Sequence, residues 1–159
     1  AEGERTTAEL SRARAGPDVG HKVAEVSETL AAMDATQQAA RHERAEAERW
    51  WAEADATWRQ RLAEAQRELS SACEERRRER AQATKARARG WGGVARLSQS
   101  NAESLTRQIA ELTETLASVD GARREAQRKQ QEARLGWVEA DAGWNQRLAT
   151  AREGLSEAL

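Results

Sequence analysis

The chain has 159 residues, 38% of them apolar and 33% charged, with 26 lysines and arginines against 27 aspartates and glutamates. It holds six tryptophans but no phenylalanine or tyrosine. Such a chain fills no thick globular core, because alanine supplies little apolar area per residue, and its near-neutral charge gives no long-range attraction to nucleic acid or to an anionic membrane. Composition rich in Ala, Glu, Arg and Leu points instead to long helices and coiled coils. The single Cys73 forms no internal disulfide and fits a reducing, cytoplasmic setting. No apolar run approaches the roughly 20 residues of a membrane span, and the first residues carry no apolar signal-peptide segment.

In chain order, residues 1–20 read as a polar segment with a short helix around Thr7 to Ala15, closed by the turn cluster Gly16-Pro17-Asp18-Val19-Gly20. Residues 21–89 contain neither proline nor glycine and are mostly strong helix formers. One long helix is expected there, on the order of 100 Å at about 1.5 Å per residue. Residues 90–101 read as a connection, broken by Gly90-Trp91-Gly92-Gly93 and carrying candidate helix caps at Ser98 to Asn101. A second long helix is expected over 102–159, softened by Gly121, Gly136, Gly143 and Gly154.

The apolar spacing supports two helices. Val19, Val23, Val26, Leu30 and Met33 in the first, and Leu105, Ile109, Leu112, Leu116 and Val119 in the second, alternate steps of three and four, the mark of a heptad seam. The middle of each seam is polar, with Gln37, Ala40, Arg44 and Ala47 matched by Arg123, Ala126, Gln130 and Ala133. The stripe then resumes at Trp51, Ala54, Trp58, Leu62, Ala65 and Leu69, and at Trp137, Ala140, Trp144, Leu148, Ala151 and Leu155. Consecutive steps of four from Ala54 through Trp58 to Leu62 predict a local unwinding of the supercoil. Asp34-Ala35-Thr36 and Asp120-Gly121-Ala122 mark sites where each helix either continues or turns; continuity is the expectation.

These paired runs are one sequence written twice. Val19 to Cys73 recurs as Leu105 to Leu159 at a constant offset of 86, most clearly where Trp51-Ala-Glu-Ala-Asp-Ala-Thr-Trp58 returns as Trp137-Val-Glu-Ala-Asp-Ala-Gly-Trp144. The expected fold is all-α: a long antiparallel coiled-coil hairpin built from this duplication, with pairing into a four-helix bundle open to it. Folding back about the glycine connection would bring Trp51 within a turn or two of Trp137 near a pseudo-twofold axis. Trp58 and Trp144 would flank them, and Leu62 and Leu148 would continue the layer.

Candidate sites follow from residue type and spacing. Trp51, Trp58, Trp137 and Trp144, with Leu62 and Leu148, are assigned to core and partner packing, because tryptophans seven apart fall on one helical stripe. Trp50 lies off that stripe and Trp91 lies in the connection, so both are candidate partner contacts. Arg76, Arg77 and Arg78 open an arginine-rich segment over 76–89 that fits a phosphate backbone or an acidic partner, and fits equally the ordinary basic end of a helix. Glu53 with Asp55 and Glu139 with Asp141 are two apart, so on a helix they do not face each other and read as a solvated flank. His21 and His42 lack a metal-ligand spacing. No catalytic, metal or cofactor residue is assigned, and the chain is not read as an enzyme.

Trp91-Gly92-Gly93 between two helices fits the short pattern Trp-x-Gly, and there the chain resembles the WXG family of small helical hairpins exported by type VII secretion. That resemblance implies a secreted hairpin. The family's hairpins are much shorter, and its tyrosine-containing C-terminal export motif has no counterpart in a chain without tyrosine. The functional expectation is a non-enzymatic scaffold or self-assembly module with a protein partner or itself, with no cofactor, small-molecule substrate or membrane span. Nucleic-acid binding through 76–89 and the secreted hairpin are the alternatives.

Overall fold

The computed structural model describes residues 2–158, with side chains over 19–157. Two helices account for them: α1 (Glu2–Ala88) and α2 (Gly92–Ala158), joined by residues 89–91. No strand occurs among the described residues. The fold is all-α, a helical hairpin whose two helices pack against each other.

Two expected boundaries are corrected. The turn at Gly16-Pro17-Asp18-Val19-Gly20 is absent, because α1 passes through it, and the short helix expected at Thr7 to Ala15 is part of the same element. The physical reason is that proline's fixed φ is itself helical; it costs a helix one hydrogen bond and a clash one turn earlier, about 3 kcal/mol, without forbidding the path. The connection, expected over 90–101, is only residues 89–91, so Ser98 to Asn101 lie inside α2. Ser98 is 3% exposed and belongs to the interior of the hairpin rather than to a cap. At Asp34-Ala35-Thr36 and Asp120-Gly121-Ala122 both helices continue.

One glycine makes the break. Gly90 takes φ +74°, and no other described residue has a positive φ. The Trp91 N–H donates to the Ala86 carbonyl at 2.8 Å and the Gly90 N–H to the Arg87 carbonyl at 3.1 Å. That pair of bonds is the Schellman closure, which satisfies carbonyls left open at a helix C-terminus. The Ala95 N–H then donates to the Trp91 carbonyl at 3.0 Å and starts α2. Gly92 and Gly93 therefore sit in the first turn of a helix and are not needed to turn the chain.

Packing divides the chain into two units, Arg49–Gln131 and the pair Ala1–Glu48 with Glu132–Leu159. In the first, which contains the connection, the helices run antiparallel: Asn101 donates to Glu79 at 3.3 Å and Arg76 to Thr106 at 3.5 Å. Its buried residues are all small, namely Ala65, Ala72, Ala83, Ala86, Ala95, Ala102 and Ser98. Trp58, Leu62, Leu69, Leu105, Ile109, Leu112, Leu116 and Val119 are half-buried around them. In the second unit, Val23, Val26, Leu30, Met33, Gln37, Ala40, Arg44 and Ala47 from α1 are half-buried, as are Ala133, Trp137, Asp141, Trp144, Leu148, Ala151 and Leu155 from α2. Val19, expected to begin the stripe, is 39% exposed.

The turn geometry makes opposite predictions for neighbouring glycines. Gly90→Ala should destabilise by about 1–2 kcal/mol, the cost of a left-handed conformation for a residue with a Cβ. Gly93→Ala, whose added Cβ would meet nothing within 4 Å, should stabilise by roughly 0.5–1 kcal/mol through helix propensity. Urea denaturation of both variants checks the pair; equal effects at the two sites would remove Gly90 as the unique turn residue.

Candidate interaction site

The polar middle of each seam has a structural partner. In the unit Ala1–Glu48 with Glu132–Leu159, Arg44 of α1 donates through Nη1 to both carboxylate oxygens of Asp141 in α2, at 2.8 and 2.7 Å. The same guanidinium lies 5.8 Å from the centre of the Trp137 ring. One turn on, Arg134 donates through Nε and Nη2 to the two oxygens of Glu48 at 2.6 and 2.7 Å. This two-pronged geometry is the strong form of a guanidinium–carboxylate contact.

In the unit Arg49–Gln131, Arg123 of α2 donates through Nε to Asp55 Oδ1 of α1 at 2.7 Å. Arg59, one turn along α1, pairs with the other oxygen of the same carboxylate. The expectation of a solvated flank is thus half corrected. Glu53 and Glu139 are exposed, but Asp55 and Asp141 occupy half-buried seam positions, and Ala140, expected on the seam, is exposed in place of Asp141. Two-apart spacing does separate the acids of each pair; what it could not reveal is that one acid of each meets an arginine of the other helix. The signal was present in Arg44 and Arg123, cations at seam positions that need a carboxylate in reach.

The tryptophans are only partly covered. Trp51, Trp58, Trp137 and Trp144 are all half-buried, as are Leu62 and Leu148. Trp50 packs edge-on against Trp51, with centroids 6.4 Å apart and planes at 68°, and stays 59% exposed. Trp51 and Trp58 belong to one packed unit and Trp137 and Trp144 to the other. Trp144 lines an open groove with Ala32, Met33 and Ala151. Its indole Nε1 is buried without a hydrogen-bond partner, while Arg147 lies 5.6 Å from its ring centre. Thr29, Thr36 and Thr150 border the same groove, and each spends its hydroxyl on the carbonyl four residues back in its own helix. Their hydroxyls are thus already satisfied within their own helices, which leaves the groove fewer free polar groups than its sequence suggests.

The arginine-rich segment does not act as a block. Arg76 is half-buried at a seam position, while Arg77 and Arg78 are exposed and Arg78 pairs with Glu74 at 3.7 Å. Trp91 is 54% exposed at the connection, with the Arg89 guanidinium 5.2 Å from its ring centre. His21 and His42 face solvent beside Glu25 and Glu46, each at 3.3 Å. Among the described residues no three His, Cys, Asp or Glu side chains converge on a metal site, and no helix is long and apolar enough to cross a membrane.

Electrostatics give the seam a pH dependence. The hydrogen bond from Arg123 holds the Asp55 carboxyl below the usual carboxylate range, against the opposing effect of desolvation, with Arg59 adding to it. The hydrogen bond from Arg44 does the same for Asp141. A carboxyl whose pKa is depressed on folding contributes stability above its unfolded value, about 3.9, and loses it as pH falls through the folded value. Asp55→Asn should therefore cost up to about 1 kcal/mol at pH 7, and the deficit should vanish once the native carboxyl is itself protonated. Urea midpoints measured at neutral and strongly acidic pH check this; a deficit of equal size at both would mean that shape, not charge, matters at Asp55.

No family model, curated protein or solved structure matches the chain.

Proposed function

We propose that the chain is a non-enzymatic coiled-coil module that assembles with protein, and first with a second copy of itself as a four-helix bundle. The carrying observation is that two helices leave the large side chains unsheltered. Among the described residues every buried one is alanine or serine, and no large side chain is fully buried. Trp50, Leu135 and Val138 are 59, 66 and 66% exposed. Leu135 and Val138, three apart on α2, put two large apolar groups on one exposed face, the kind of surface another chain covers. A second hairpin laid along the first would shelter half-buried indoles and leucines that two helices cannot, which is the ordinary geometry of a four-helix bundle.

The alternating three-and-four spacing of the half-buried positions supports the coiled-coil reading. Both helices half-bury the equivalent triplets Ala47, Trp51, Asp55 and Ala133, Trp137, Asp141 at steps of four, replacing the alternation in α2, while in α1 Ala54 is half-buried beside Asp55 and keeps it. That these two triplets stand 86 apart in the sequence supports the internal duplication.

The duplication also raises a pairing problem, since a copy of α1 offers another α1 much the same seam that α2 offers it. Glu48 and Arg134, themselves 86 apart and directly paired, favour the intramolecular choice. An antiparallel pair of like helices in the equivalent register would set Glu48 against Glu48, or Arg134 against Arg134, and like charges at a helix interface disfavour pairing. The preferred assembly is then hairpin on hairpin rather than exchange of like helices.

Sedimentation equilibrium across a hundredfold range of concentration tests this. The expected result is a mass of two chains, with a thermal midpoint that rises with concentration, as mass action requires when folding and association are linked. A monomer with a concentration-independent midpoint would refute self-assembly and leave a different protein as the partner.

A further inference from the structure

The connection end of the hairpin differs chemically from the rest of the chain. Between Glu79 and Glu103 the sequence has no acidic residue, yet it carries Arg80, Lys85, Arg87, Arg89 and Arg96. The whole chain has a net charge of −1, so this stretch is net positive while the remainder, though it holds most of the lysines and arginines, is net negative. All five cations are exposed. Arg87 reaches Gln99 and Arg89 lies over Trp91, so neither is neutralised by a carboxylate.

The same turn presents apolar side chains away from the seam. Ala95, Ser98 and Ala102 face the partner helix and are 3, 3 and 6% exposed, whereas Trp91, Val94 and Leu97 are 54, 41 and 64% exposed. Val94 and Leu97, three apart, share one face of α2. Within about two turns of helix on either side of Gly90, an indole, two aliphatic groups and the cations Lys85, Arg87, Arg89 and Arg96 are thus exposed together. We propose that the hairpin tip docks on the surface of a bilayer containing anionic lipid.

Each part of the tip has a role there. Indoles settle at the boundary between headgroups and acyl chains, Val94 and Leu97 supply shallow apolar insertion, and the cations add attraction to negative headgroups. A few apolar side chains alone bind weakly, and a basic patch supplies the second contribution that reversible anchoring needs. A nucleic-acid backbone would use the cations but has no use for two exposed aliphatic side chains. The acidic remainder of the chain is repelled by the same surface, so contact is confined to the tip.

Co-sedimentation of the full chain with vesicles tests the proposal. Binding is expected to phosphatidylcholine mixed with phosphatidylserine and not to phosphatidylcholine alone, and it should weaken as salt is raised. Arg89→Gln and Arg96→Gln should each weaken it about fivefold, and Leu97→Ser should weaken it with helix content by circular dichroism unchanged. No binding to the mixed vesicles, or equal binding to the neutral ones, overturns the proposal. So does duplex DNA that displaces the chain from vesicles and binds the Leu97→Ser variant as well as the native chain, for the tip would then be a nucleic-acid site.

Discussion

The turn at Gly90 requires the two helices to approach closely, and alanine is what permits it. Ala83, Ala86, Ala95 and Ala102 are each 6% exposed or less in a hairpin of only two helices. A side chain of one carbon can be covered that completely only by the facing helix itself, whose backbone must come near. Leucine at these positions would hold the helices apart and strain a connection of three residues. The remaining packing follows from this. Small residues fix the spacing at the turn, the larger ones beyond it meet across the seam without closing over one another, and Trp51, Trp58, Trp137, Trp144 and the seam leucines remain half-covered.

A seam of alanine and half-covered leucine specifies register weakly, because alanines seven apart are interchangeable. The arginine–aspartate contacts supply what the apolar residues lack. Arg44 holds Asp141 and Arg123 holds Asp55, and the neighbouring seam positions one heptad away are Gln37 and Gln130. A slip of one heptad in either direction would set Asp141 against Gln37 or Trp51, and Asp55 against Leu116 or Gln130, so neither slip returns an arginine to either carboxylate. Such pairs add little net stability when partly solvated, but desolvated polar groups at single seam positions are an effective means of choosing one register over another.

Much of this is legible in the residues. The alternation of Val23, Val26, Leu30 and Met33 with Leu105, Ile109, Leu112, Leu116 and Val119 identifies the helices and the faces that pack, because large aliphatic groups recur at helical spacing where one face of a helix is buried. Gly90 stands out as the break, but the residues around it overstate the length of the connection: Gly92, Gly93 and Ser98 are types that also suit a loop, and nothing local says they are helical. The innermost seam is not legible at all. Alanine has the same high helix propensity inside and outside, so Ala83, Ala86, Ala95 and Ala102 look like Ala81 or Ala88. Asp55 and Asp141 look solvated because the arginines that hold them are distant in sequence. Function is the least legible, since a seam and a charged surface report geometry and carry no reactive group.

The most direct test of the close approach at the turn is the stability of Ala86→Leu in urea, with the exposed Ala88→Leu as its control. Overpacking at Ala86 should cost about 1–3 kcal/mol, while Ala88→Leu should stay within about 0.5 kcal/mol of the native chain. An Ala86→Leu chain as stable as the native one, or more stable, would show that the helices have room to spare there and that alanine does not set their separation.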